Sequence, residues 1–161
     1  MERSLLPAVL AFALLSASPS YAADASRFFG SWQVDVSKLP VPEPPASVTI
    51  TWADGGGGKV RMSVDIVDRR DVKTHAEAVF TPDGTPSRAV GSLDVDIISM
   101  TMPDDRVFVM GAGMAGNPSN TRVFVVSDDG KRMSETIVSH GQGNIPATRV
   151  NNWIRRAQHE R

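Results

Sequence analysis

The chain has 161 residues, 41% of them hydrophobic and 22% charged, which suits one folded domain with a core that needs no metal or disulfide staple. Lysine and arginine number 17 and aspartate and glutamate 18, so a formal charge of -1 gives no electrostatic steering toward nucleic acid or an anionic membrane. With no cysteine, thiol catalysis, disulfides and lipoprotein acylation are excluded, and stability rests on packing.

At the N-terminus Arg3 precedes an almost unbroken apolar run over residues 5–15, followed by small residues over 16–23. This is the layout of a secretory signal peptide. Ser20-Tyr21-Ala22 presents small residues where a signal peptidase reads, so cleavage is expected after Ala22. Residues 1–22 then leave, and residues 23–161 form a periplasmic or secreted domain. The apolar run falls well short of the roughly 20 residues that a spanning helix needs, so no membrane span is expected in the mature chain.

Beyond residue 22 the pattern is short alternation between turn residues, with no stretch of ten or more residues at helical spacing. Trp32, Val34 and Val36 alternate with Gln33, Asp35 and Ser37. Val48, Ile50 and Trp52 alternate with threonines, and Val60, Met62, Val64 and Ile66 with Arg61, Ser63 and Asp65. Period-2 alternation places one apolar face inward, and further strands are expected over 72–80, 93–102, 106–110, 121–127, 132–139 and 148–155. Asp54 with Gly55 and three more glycines, residues 68–71, Pro82-Asp83-Gly84, Asp104-Asp105 and Asp128-Asp129-Gly130 read as tight turns. The proline-rich stretch over 39–45 reads as an extended loop at the rim. About nine strands joined by hairpins predict an all-β fold, an antiparallel up-and-down β-barrel of about 8–10 strands, in which closure removes exposed edges. A sandwich is the alternative.

Phe28-Phe29-Gly30-Ser31-Trp32 resembles the Gly-x-Trp opening of lipocalins and other calycin-type barrels. The long loop after the first strand, the string of hairpins and the terminal Arg155 and Arg156 are also similar to small exported bacterial lipocalin-like proteins. The resemblance implies that Gly30 and Trp32 close one end, with a terminal-strand arginine packed across the tryptophan. Strand parity with Ile154 favours Arg156, with Arg155 as the alternative. It further implies binding of a small apolar ligand.

Other motifs carry little chemistry. Residues 111–116 spell Gly-x-Gly-x-x-Gly after a strand, but Asn117-Pro118-Ser119-Asn120 follows where a dinucleotide fold needs a helix, so a flexible hairpin loop is expected. Gly55 to Gly58 precede Lys59, but Val60 stands where a phosphate loop needs Ser or Thr. His75, His140 and His159 are scattered, the methionines fit core filling better than copper, and the aspartates lack calcium-loop spacing, so neither a metal nor a cofactor is expected. No Gly-x-Ser-x-Gly elbow is present, and neighbouring Ser139 and His140 point to opposite faces of a strand. Glu77, Asp65, Glu135 and His75 are the groups from which distant strands could assemble an acid–base pair, though enzyme activity is not the expectation.

The leading expectation is a barrel binding a small apolar or amphipathic molecule, with Val34, Val36, Ile50, Val64 and Ile66 lining the cavity and Met62 adapting to ligand shape. The alternative is a protein-interaction module, such as an exported hydrolase inhibitor, acting through residues 23–27, the proline-rich loop or residues 111–120. A cavity favours the first; a filled core with a protruding ordered loop favours the second.

Overall fold

The structure, a computed structural model, describes residues 24–92, 94–140 and 145–157. The expected signal peptide, Leu93 at the start of one expected strand, and His159 lie outside the described residues. After a short 3-10 turn at Ala25–Arg27, ten strands follow: β1 (Gly30–Val34), β2 (Ser47–Gly56), β3 (Lys59–Val67), β4 (Lys73–Phe80) and β5 (Asp83–Val90), then β6 (Ile97–Asp104), β7 (Val107–Met114), β8 (Asn117–Val126), β9 (Arg132–His140) and β10 (Pro146–Arg155). Each pairs antiparallel with the next, and β1 closes the barrel on β10 through Trp32↔Arg155 and Val34↔Trp153. The fold is the expected all-β, closed antiparallel barrel, and no helix among the described residues is long and apolar enough to cross a membrane.

Ten strands rather than nine are present because Pro82-Asp83-Gly84 does not end the ladder. Asp83, Pro86, Ser87 and Arg88 of β5 pair with β6, whereas toward β4 the aligned pairs among the described residues are Glu77↔Val90 and Ala78↔Ala89. Pro86 has no N–H to donate, and a strand beside a thin seam is where a proline is tolerated. Ser99 Oγ, donating to Gly84 O at 2.6 Å, ties the divergent half of β5 to β6 instead.

The expected loop over 111–120 is also strand. Gly111 and Gly113 pair with Ser99 and Ile97 on one side and with Thr121 and Pro118 on the other, so β7 and β8 continue to a two-residue turn at Ala115 and Gly116. Glycine suits position 113 because a Cβ there would lie 3.0 Å from Ile97 Cγ2 and 3.2 Å from Asn117 O. No helix follows, so the amides of the glycine motif are spent in a sheet ladder and not gathered at a helix start.

Interior residues divide the barrel into two halves. At one end Phe28, Trp52, Phe80, Phe108 and Phe124 form an aromatic plug, each 1% exposed or less. Trp52 stacks on Phe108 at 5.2 Å with planes 5° apart, and Phe80 and Phe124 meet Trp52 edge-on at 6.4 and 5.4 Å. Each such pair adds about 0.5–1.5 kcal/mol beyond simple burial.

The same end is sealed by Trp32, whose Nε1 donates to Phe28 O at 2.8 Å. The arginine across it is Arg155, its guanidinium carbon 4.0 Å from the centre of the Trp32 ring. Arg155 also donates to the backbone carbonyls of Gly130, Phe29 and Arg27. The assignment of Arg156 is therefore corrected. Asn151, Trp153 and Arg155 form the inward set of β10, while Ile154, 60% exposed, points outward and takes Arg156's parity with it. Gly30 completes the seal: its φ of +117° disfavours side chains, and a Cβ there would press within 3.0 Å of Arg155 Nη1. Burial pushes the Arg155 pKa below its usual value, but a guanidinium keeps its charge in a protein.

Candidate functional site

Above the plug the interior opens into a cavity of about 410 Å³. Its wall alternates inward along the strands: Val34 from β1, Val48 and Ile50 from β2, Met62, Val64 and Ile66 from β3, and Ala76 and Ala78 from β4. Leu39, Val41 and Pro45 reach the wall from the connection between β1 and β2, so the proline-rich loop does lie at the rim. Ser92, Asp94 and Val95 reach it from the connection between β5 and β6.

Five of the six expected lining residues, Val34, Ile50, Met62, Val64 and Ile66, stand on this wall. Val36 does not. The alternation stops at Val34 because Asp35 caps a 3-10 turn at Val36–Lys38, accepting from Ser37 N at 3.2 Å and Ser37 Oγ at 2.6 Å. Val36 packs against the core from within that turn.

The opposite wall is polar in one place. Glu135 of β9 is only 1% exposed, with its two carboxylate oxygens engaged by three donors. Arg122 Nη1 of β8 lies 3.1 Å from Oε1, while Asn151 Nδ2 and Trp153 Nε1 of β10 lie 2.8 and 3.2 Å from Oε2. Arg122 Nε donates in turn to Asn120 Oδ1 at 2.8 Å. A buried carboxylate is tolerated only with such compensation. Asn151, itself 7% exposed, keeps its Oδ1 without a hydrogen-bond partner among the described residues. A buried acceptor left in that state costs about 1–3 kcal/mol. Arg122, Glu135, Asn151, Trp153 and the more exposed Arg149 all contribute to the cavity wall.

Of this cluster, sequence reasoning singles out only Glu135, and as an acid–base candidate. The structure does not bring it together with the other three. Asp65 and His75 face each other at 2.7 Å on the outer surface of β3 and β4, and Glu77, which also touches the cavity wall, has its carboxylate paired with Arg61 at 3.1 Å. The missed signal is parity. Arg122 precedes inward Phe124 and Val126, Glu135 sits between Met133 and Ile137, and Asn151 precedes Trp153, so each of the three polar residues shares the parity of its strand's apolar face.

The cluster can offer hydrogen bonds from the partly exposed Arg122 guanidinium, whose charge is matched internally by Glu135. Among the described residues no group of three or more histidine, aspartate or glutamate side chains is arranged to hold a metal ion.

No protein-family model and no curated protein matches the chain. Two solved structures, both of mutants of the fluorescent protein UnaG, are similar in fold. One superposes with a TM-score of 0.56 at 13% identity, covering 83% of this chain and 99% of that one. The other gives 0.54 at 14% identity, covering 81% and 96%. At that identity the likeness is one of architecture, a calycin-like β-barrel.

Proposed function

We propose that this chain is an exported calycin-like barrel that binds a small apolar or amphipathic molecule in its interior. The observation that carries the reading is the cavity of about 410 Å³ beneath the rim, in the size range of small-molecule sites and lined mainly by apolar side chains. Val34, Ile50, Met62, Val64 and Ile66 would hold the apolar part of the ligand, with unbranched Met62 adjusting to its shape. Export rests on the signal-like residues 1–22, and N-terminal sequencing of the protein from its host should begin at Ala23.

The interaction-module reading depended on a filled interior and an ordered protruding loop. The cavity and the strand pairing of residues 111–114 leave it with less support.

Native mass spectrometry of the protein purified from its host tests the binding reading. A defined adduct, released by gentle activation as a lipid-sized molecule, is expected. A bare mass, together with failure to take up any environment-sensitive apolar dye, would overturn it.

A further inference from the structure

We infer that Arg122 and Glu135 together set the specificity of the cavity: Arg122 donates to a carbonyl-type acceptor of an uncharged amphiphile, such as an ester, ketone or amide, and Glu135 is the built-in counter-ion that turns an anionic head away. The inference rests on the cavity reading above and deepens it by naming the head chemistry and the residues that choose it.

Arg122 stands on the cavity wall, on the inward face of β8 two residues before buried Phe124. Its Nη1 lies 3.1 Å from Glu135 Oε1, and its Nε donates to Asn120 Oδ1 at 2.8 Å. Those two bonds hold the plane of the guanidinium. Nη2 makes no hydrogen bond among the described residues and, unlike Asn151 Oδ1, is not sealed from access. The side chain keeps 26% of its surface exposed, against 2% for that of Glu135. A guanidinium donates and never accepts, so when an apolar chain displaces water from the cavity, what completes Nη2 is an acceptor oxygen of the occupant.

Charge decides which acceptor that is. The Glu135 carboxylate is buried against the guanidinium and already matches its charge. A ligand carboxylate on Nη2 would share that one cation with Glu135, setting two like charges together away from bulk water. The rest of the wall does not offset this repulsion. Asp94 has the wrong sign, the Glu77 carboxylate is paired with Arg61, and exposed Arg149 has its charge screened by solvent. A neutral carbonyl oxygen accepts the same bond without the repulsion.

Competition for an environment-sensitive apolar dye on the full chain, at neutral pH where a carboxylic acid is ionised, tests this with three straight-chain probes of one length. They are a methyl ester, a carboxylate and a terminal alkene, which has no acceptor oxygen. On the unaltered chain the ester is expected to bind at least about tenfold more tightly than the carboxylate. Glu135→Gln keeps the size of the side chain and removes its charge, so carboxylate affinity should rise at least about tenfold while ester affinity stays within about threefold. Arg122→Met combined with Glu135→Leu removes both charges together; it should weaken the ester at least about fivefold and leave the alkene within about twofold. A carboxylate that binds tightest to the unaltered chain, or an ester-to-carboxylate ratio that Glu135→Gln leaves within about twofold, would overturn the inference and leave the cavity reading standing. Failure of the dye and of all three probes to bind would remove the cavity reading and this inference with it. Should Glu135→Gln not fold, the double variant decides: a selective loss of the ester supports the assignment of Arg122, and an unchanged ester overturns it.

Discussion

At the scale of single residues, Glu135 and Arg155 show two ways of putting charge inside a small barrel. Among the described residues Glu135 has Arg122 as its one ionic partner, at 3.1 Å. Replacing Arg122 with Met leaves a buried carboxylate without that cation, and chemical denaturation should show a loss of about 3–5 kcal/mol. The double change Arg122→Met with Glu135→Leu should recover most of that loss, because the uncompensated charge goes with its partner. A single-variant loss below about 1 kcal/mol would show that water already reaches the carboxylate. Arg155 instead gathers backbone carbonyls from three segments and the face of Trp32. Arg155→Ala should cost at least about 3 kcal/mol, against about 0.5 kcal/mol or less for exposed Arg156→Ala. The reverse ranking would restore the parity argument that placed Arg156 over the ring.

At the scale of elements, turn chemistry decides both what folds and how it responds to acid. Ala115 sits at φ +51° beside Gly116 at +80° in the turn between β7 and β8, a conformation that costs a residue bearing a Cβ. Ala115→Gly should therefore stabilise the chain by about 1 kcal/mol, measured as a shift in denaturation midpoint at unchanged slope. Asp68 accepts from Val72 N at 2.9 Å and Arg70 N at 2.7 Å in the turn between β3 and β4, and these backbone bonds hold its pKa below the usual carboxylate range. Asp35, Asp83 and Asp129 are lowered in the same way by turn hydroxyls and amides. A group with a depressed folded pKa contributes stability above its unfolded value and loses it as pH falls through the folded one. Stability should decline below about pH 4, where unperturbed aspartate begins to protonate, and Asp68→Asn should flatten that acid limb.

The turn residues were plain in the sequence because they act locally, and nine of the ten strands followed from alternation between them. β5 was not legible, since Pro82, Gly84 and Pro86 argue against a strand by local rules and are tolerated only beside the thin β4–β5 seam. The candidate site was half legible. Its apolar wall on β3 showed as Met62, Val64 and Ile66 in alternation, but its polar cluster needed three strands brought into register, and each polar residue alone reads as a surface residue out of phase.

At the scale of the whole molecule, the barrel is tightly packed at the aromatic plug and unfilled above it. Ala76 on the cavity wall is small and partly buried, so Ala76→Leu should occupy ligand space. The expected result is at least about tenfold weaker dye binding with a thermal midpoint within a few degrees of the parent. Unchanged binding would place the occupied site elsewhere.

Taken alone, the amino-acid sequence determined the class of the fold. Period-2 alternation, turn residues at hairpin spacing and the Gly30-Ser31-Trp32 opening are local signals, and local signals survive without knowledge of neighbours. Only the tertiary structure decided which arginine covers Trp32, because parity in β10 turns on whether Trp153 or Ile154 faces inward. Only it decided that the interior is open, since the space left inside a barrel is a difference between the volume that strand geometry encloses and the volume that side chains fill. It also decided that Arg122, Glu135 and Asn151 meet, because antiparallel register brings β8, β9 and β10 into line at one level.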